Sequence, residues 1–98
     1  MSLPIKLRRL AHAEFGDAAE WYERRRVGRG VEFTITVREL LREIAASPNA
    51  YPEVRDGVRE AILRGFPYAI YYRVVPKGID VLAVFHASRD PADWQSRI

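Results

Sequence analysis

Ninety-eight residues, 48% of them hydrophobic, are enough for one core and point to a single domain across residues 1–98. With no cysteine and only two imidazoles, His12 and His86, the chain lacks the means for a disulfide framework or a thiolate or zinc centre, and neither metal nor cofactor is expected. The net charge of +3 is modest, yet fourteen of the sixteen basic residues are Arg, whose planar fork grips phosphate or carboxylate at two points and suits nucleic acid or an acidic partner.

Many of those arginines alternate with acids along helices, so the charge is less concentrated than in a specific nucleic-acid binder. There is no apolar run of about 18 residues and no basic segment leading into a short apolar one, so neither a membrane span nor a signal peptide is expected and the cytoplasm is the natural location.

Ile5 and Leu7 alternate with Lys6 and Arg8, the period of a short half-buried strand. Phe15, Ala18, Ala19 and Tyr22 then fall at i, i+3, i+4, i+7, which predicts an amphipathic helix from His12 to about Arg25, with Glu20 and Arg24 placed as an i,i+4 pair. Gly28 and Gly30 interrupt it. Phe33, Val37, Leu40, Leu41 and Ile44 restart the stripe, and Ser47-Pro48 closes it near Ala46, so the two helices form an antiparallel hairpin. Asn49 to Asp56 has no clear period and reads as a loop.

After that loop the pattern turns to β. Val58 to Leu63 alternates, the break at Arg64-Gly65 fits a hairpin, and Phe66 to Val75 is the richest strand signal, with Phe66, Tyr68, Ile70, Tyr72 and Val74 on one face. Pro67 belongs at the strand's start or on an edge. Pro76-Lys77-Gly78 supplies a turn, and Ile79 to His86 has apolar residues on both faces, as in a strand covered on both sides; Leu82 and Val84, on its second face, need a cover. Asp90 suits an N-cap, Pro91 the first helical position and Asp93 the positive end of the helix dipole, so a short helix runs from Pro91 to about Ser96. The class is α+β: a strand and an α-hairpin packed on a twisted antiparallel sheet, order β-α-α-β-β-β with a short C-terminal helix.

No Gly-rich phosphate loop, GxSxG, HExxH or thiol nucleophile is present. Polar residues gather instead near strand ends: Arg64 at the second-to-third strand turn, Tyr71 and Arg73 on the non-core face, and His86, Ser88 and Arg89 where the last strand ends. In an antiparallel sheet these ends coincide, so Arg64 could converge with His86 to Arg89. Metal-free RNA cleavage would use His86 as acid or base, Arg64 and Arg89 to hold phosphate, and Tyr71 or Trp94 to stack a base. Each has a structural alternative: His86 as a hydrogen-bonded strand end, Arg89 as the partner of Asp90 or Asp93, Trp94 as helix packing and Asp90 as a cap.

The segments Phe66-Pro67-Tyr68-Ala69-Ile70-Tyr71-Tyr72 and His86-Ala87-Ser88-Arg89-Asp90-Pro91, followed by Trp94 and Arg97, resemble the RelE/ParE superfamily of toxins from type II toxin-antitoxin pairs, a group that includes plasmid stabilisation proteins. Trp21-Tyr22, Phe33, Pro48 and Arg59 sit where the same pattern expects them. The resemblance implies a β-α-α-β-β-β fold and a hetero-oligomer with a cognate ParD/RelB-like antitoxin carrying a ribbon-helix-helix domain. RelE-like members cleave messenger RNA on the ribosome; ParE-like members poison DNA gyrase and are not nucleases. Carried over by position, Arg64 and Arg89 would hold phosphate and His86 or Trp94 would be the terminal catalytic group. Two departures weigh against a nuclease: Arg59-Glu60-Ala61 places an acid where a lysine pair is expected, and the chain does not end in a His-Tyr pair. They favour the ParE-like mode, with a RelE-like ribosome-dependent endoribonuclease, or a degenerate member that only binds antitoxin, as the alternatives.

Overall fold

A computed structural model describes residues 2–98. In chain order it contains β1 (Ile5–Leu7), α1 (Arg9–Arg25), α2 (Arg29–Ala46), β2 (Glu53–Arg55), β3 (Val58–Ile62), β4 (Tyr68–Val75), β5 (Gly78–His86) and α3 (Ala92–Gln95). The α+β class and the element order match the expectation. The five strands lie in the order β1-β5-β4-β3-β2.

Two details depart from the sequence reading. The supposed loop after α2 contains β2, which pairs with β3 at Glu53–Arg59 and Arg55–Val58 across an irregular step; three residues are too few to show a period. The sheet is mixed, because β1 runs parallel to β5. Parallel neighbours need a long crossover, and here the whole chain between β1 and β5 supplies it. Gly78 is what lets β1 approach: its φ is +151°, and a Cβ there would lie 2.3 Å from the Pro4 carbonyl oxygen, which accepts the Ile79 N–H at 2.8 Å.

The helical hairpin covers one face of the sheet. Phe33, Val37 and Ile44 of α2 and the small Ala11 and Ala18 of α1 meet Ile70, Tyr72, Ile79, Val81 and Val84. Each large apolar side chain buried there contributes about 1.5–3 kcal/mol. The Tyr72 hydroxyl donates to the Pro48 carbonyl at 2.6 Å, which ties the end of α2 to the sheet. Between the helices, Gly28 turns at φ +91°, and the Glu23 carboxylate accepts the Gly28 and Gly30 N–H groups that open α2.

The strand β5 is buried on both faces, but its alternation slips. Tyr71 pairs with Ala83 while Tyr72 pairs with Val81, so Leu82 is an extra residue opposite the Tyr71–Tyr72 step. This bulge resets the phase: Val81 and Val84 face the helices, whereas Leu82, Ala83 and Phe85 face the other side. Leu82 and Val84 therefore do not share a face, contrary to the strict period of two. The second face carries its own cluster, closed by Trp94 of α3 against Val58, Leu82, Ala83 and Phe85. Asp90 Oδ1 accepts the Ala92 N–H at 3.0 Å, the capping role expected of it.

Candidate functional site

A cleft of about 560 Å³ opens between α1 and the ends of β4 and β5. Trp21, Tyr22 and Tyr68 form its aromatic wall, and Glu14, Asp17, His86, Ser88 and Arg89 its polar one. His86 and Arg89 thus meet in one cleft, and both also border a second cleft that Trp94 lines from the sheet's other face. Arg64 is not brought to them. It borders a separate cleft with Thr36, Glu39, Glu43, Tyr51 and Ile62. The strand order explains the separation, since β4 stands between β3 and β5 and places their ends about 10 Å apart.

The free chemistry of the polar wall is limited. His86 Nδ1 accepts the Ser88 N–H at 3.0 Å and lies 2.8 Å from Ser88 Oγ, while its ring meets Tyr68 edge-on at 5.0 Å. With Nδ1 held as an acceptor, the ring proton of the neutral form sits on Nε2. Arg89 is clamped between two carboxylates: Nη1 donates to Glu14 at 2.6 Å and Nη2 donates to Asp93, with the guanidinium 4.2 Å above the Phe85 ring. Burial would lower its basicity, but the bonds to Glu14 and Asp93 outweigh that and raise it. Trp94 is 3% exposed and stacks on Tyr71 at 4.2 Å, so its ring is occupied as a wall of the second cluster.

Glu14, which sequence reasoning missed, organises this corner. It accepts the Val84 N–H at 3.1 Å, Arg89, and both terminal nitrogens of Arg97 at 2.9 Å. Hydrogen bonding to Glu14 lifts the Arg97 guanidinium above its ordinary value. A signal was there: Glu14 lies three residues after Ala11 and four before Ala18, both buried, so it is an acid on the inward stripe of α1. Arg8 adds a further clamp, gripping Asp80 at 2.7 Å and donating to the Arg97 carbonyl at 2.6 Å. Nor do the phenols supply a base: burial raises Tyr22, against a lowering by Arg29, and raises Tyr68, against a lowering by Arg89. Among the described residues no three His, Cys, Asp or Glu are grouped to hold a metal ion, and no helix is long and apolar enough to cross a membrane.

Residues 5–91 match the family model for the ParE toxin of the type II toxin-antitoxin system parDE. The chain belongs to the ParE toxin family. Toxin ParE2 of Mycobacterium tuberculosis, from strains CDC 1551 / Oshkosh and ATCC 25618 / H37Rv, is 32% identical over 66 residues, which are 67% of this chain and 63% of ParE2. The match thus spans under two thirds of those relatives. A structure of the chromosomal ParDE system from P. aeruginosa superposes with a TM-score of 0.77 over 89% of this chain and 98% of that one, at 20% identity, a likeness of fold. In this ParE-family chain Asp90 caps α3, Trp94 closes the second cluster, and Arg89 and Arg97 bind the α3 segment to Glu14 of α1.

Proposed function

We propose that this ParE-family toxin acts by binding, that it arrests growth by poisoning DNA gyrase, and that a cognate antitoxin neutralises it. The observation that carries the reading is the state of Arg89. A phosphate-holding arginine must offer its fork to the ligand, and this one is spent on Glu14 and Asp93. With Trp94 sealed and Arg64 in another cleft, His86 is left without a cationic partner, too little for the paired acid and base of RNA cleavage. Binding needs no such set. The antitoxin reading draws on the family and on the ParDE neighbour, and the cleft beside α1 gives an antitoxin segment a place to lie, with Trp21, 49% exposed, as an apolar anchor.

The test is induction of the chain in cells, alone and with a co-expressed antitoxin. We expect growth arrest with trapped gyrase–DNA cleavage complexes, relief by the antitoxin, and unchanged toxicity in Arg64→Ala and His86→Ala. Transcript cleavage with immediate translation arrest, abolished by both substitutions, would establish a ribosome-dependent nuclease instead; normal growth would mark a chain that only binds antitoxin.

A further inference from the structure

The strand pairings align one residue from each strand in a single row on the face opposite the helices: Lys6 of β1, Asp80 of β5, Arg73 of β4, Val58 of β3 and Arg55 of β2. With strands about 4.8 Å apart, the row is about 19 Å long and Arg73 lies at its middle. Its only acid, Asp80, is consumed by Arg8, which donates to it through Nε and Nη2. Lys6, Lys77 and Arg73 form no ion pair among the described residues, and Arg73 Nε is buried without a hydrogen-bond partner. Arg55, at the far end of the row, is turned to α3, where it donates to Gln95 at 3.1 Å, with Asp56 at 3.6 Å. The chain's two lysines also converge: Lys6 and Lys77 line one cleft of about 490 Å³ at the β1 edge.

We propose that this row is a binding surface for the phosphate backbone of duplex DNA. The row's one apolar member, Val58, is fully buried, so the surface lacks the exposed anchor that a docked peptide uses. It also lacks a platform for unpaired bases, since Tyr71 and Trp94 are stacked on each other and single-strand binders rely on free aromatic faces. What remains is unpaired positive charge at the β1 end and the middle of the row, from Lys6, Lys77 and Arg73, the sequence-independent mode of backbone binding. The choice of DNA over duplex RNA rests on the gyrase reading, in which the toxin works beside DNA; the backbone contact itself does not.

The experiment is fluorescence anisotropy of the purified chain with a labelled DNA duplex and no gyrase present, which separates this inference from gyrase inhibition measured by supercoiling. Three phosphate contacts, from Lys6, Lys77 and Arg73, give a log–log salt slope of about −2.7, so affinity should fall about 40-fold between about 50 and 200 mM salt. Lys6→Gln and Arg73→Gln should each flatten the slope by about 0.9, reducing that fall to about 12-fold. Arg38→Gln, an equal charge loss on the outer side of α2, should leave the slope unchanged; Lys6 is exposed, so its variant keeps the test valid even if Arg73→Gln misfolds. Absence of binding at low salt, a slope indifferent to Lys6 and Arg73, or stronger competition by polyglutamate than by unlabelled DNA would overturn the proposal. Tighter binding of duplex RNA would overturn the assignment to DNA.

Discussion

Replacing Glu14 by Gln isolates the charge that holds the C-terminal segment to α1. Glutamine keeps the shape and one carbonyl oxygen for the Val84 N–H, but leaves Arg97 with Asp93 alone, at 3.6 Å, as its acidic partner. Arg97 is 9% exposed and Arg89 38%, so the two losses are unequal. Stranding a buried charge costs about 3–5 kcal/mol, whereas an exposed pair is worth about 0–1 kcal/mol. We therefore expect about 3 kcal/mol of destabilisation, nearly all through Arg97, and a fall in Tm of about 12–15 °C for a domain of this size. Urea unfolding followed by circular dichroism measures it. Glu20→Gln, which breaks the exposed pair with Arg24, is the control and should change stability by less than about 0.5 kcal/mol. A cycle with Arg97→Gln should return a coupling of about 2 kcal/mol or more. A loss below about 1 kcal/mol for Glu14→Gln, or no coupling, would refute the claim that this carboxylate locks the corner.

Gly78→Ala should cost about 3 kcal/mol, because the added Cβ meets the Pro4 carbonyl at 2.3 Å on a positive-φ residue; hydrogen exchange would show it as early loss of protection in β1 and at Ile79, and an unchanged β1 would refute it. The tyrosines predict alkaline behaviour. Burial raises all of Tyr22, Tyr51, Tyr68, Tyr71 and Tyr72, with Tyr72 pushed up to about 12 and Tyr71 lifted further by its bond to Glu60. A raised folded value favours the neutral phenol in the native state, so this stability is intact below the unfolded value of 10.0 and is lost as pH climbs towards about 12. The urea midpoint should hold to about pH 10 and then fall, with tyrosinate absorbance rising together with unfolding; tyrosinate appearing near pH 10 in a chain still folded would contradict the burial argument.

Much of the fold was legible because it is written in local periods. The stripe from Phe33 to Ile44, the Tyr68–Ile70–Tyr72 face and the Asp90-Pro91 helix start each declare themselves within a few residues. Three features do not. The bulge at Leu82 depends on how β4 presents Tyr71 and Tyr72, so no pattern within β5 alone reveals which of its apolar residues turn inward. The short β2 has too few residues for a period. The corner built by Glu14, Arg89 and Arg97 joins positions 75 and 83 residues apart, and the separate clefts of Arg64 and His86 follow from the strand order, with β4 between β3 and β5. The site was thus legible as a set of polar residues, and the Asp93 partner of Arg89, the packing of Trp94 and the Asp90 cap were among the readings it offered, while the part of Glu14 was not.

The Glu14 clamp also bears on what the cleft can become. An open phosphate site at this corner would need a liberated arginine, and here one of the two carboxylates that hold Arg89 also anchors Arg97 and the backbone of β5. Loss of Glu14 would loosen the C-terminal segment and still leave Arg89 bonded to Asp93. Freeing Arg89 therefore takes changes at both Glu14 and Asp93, and the first of them strands Arg97.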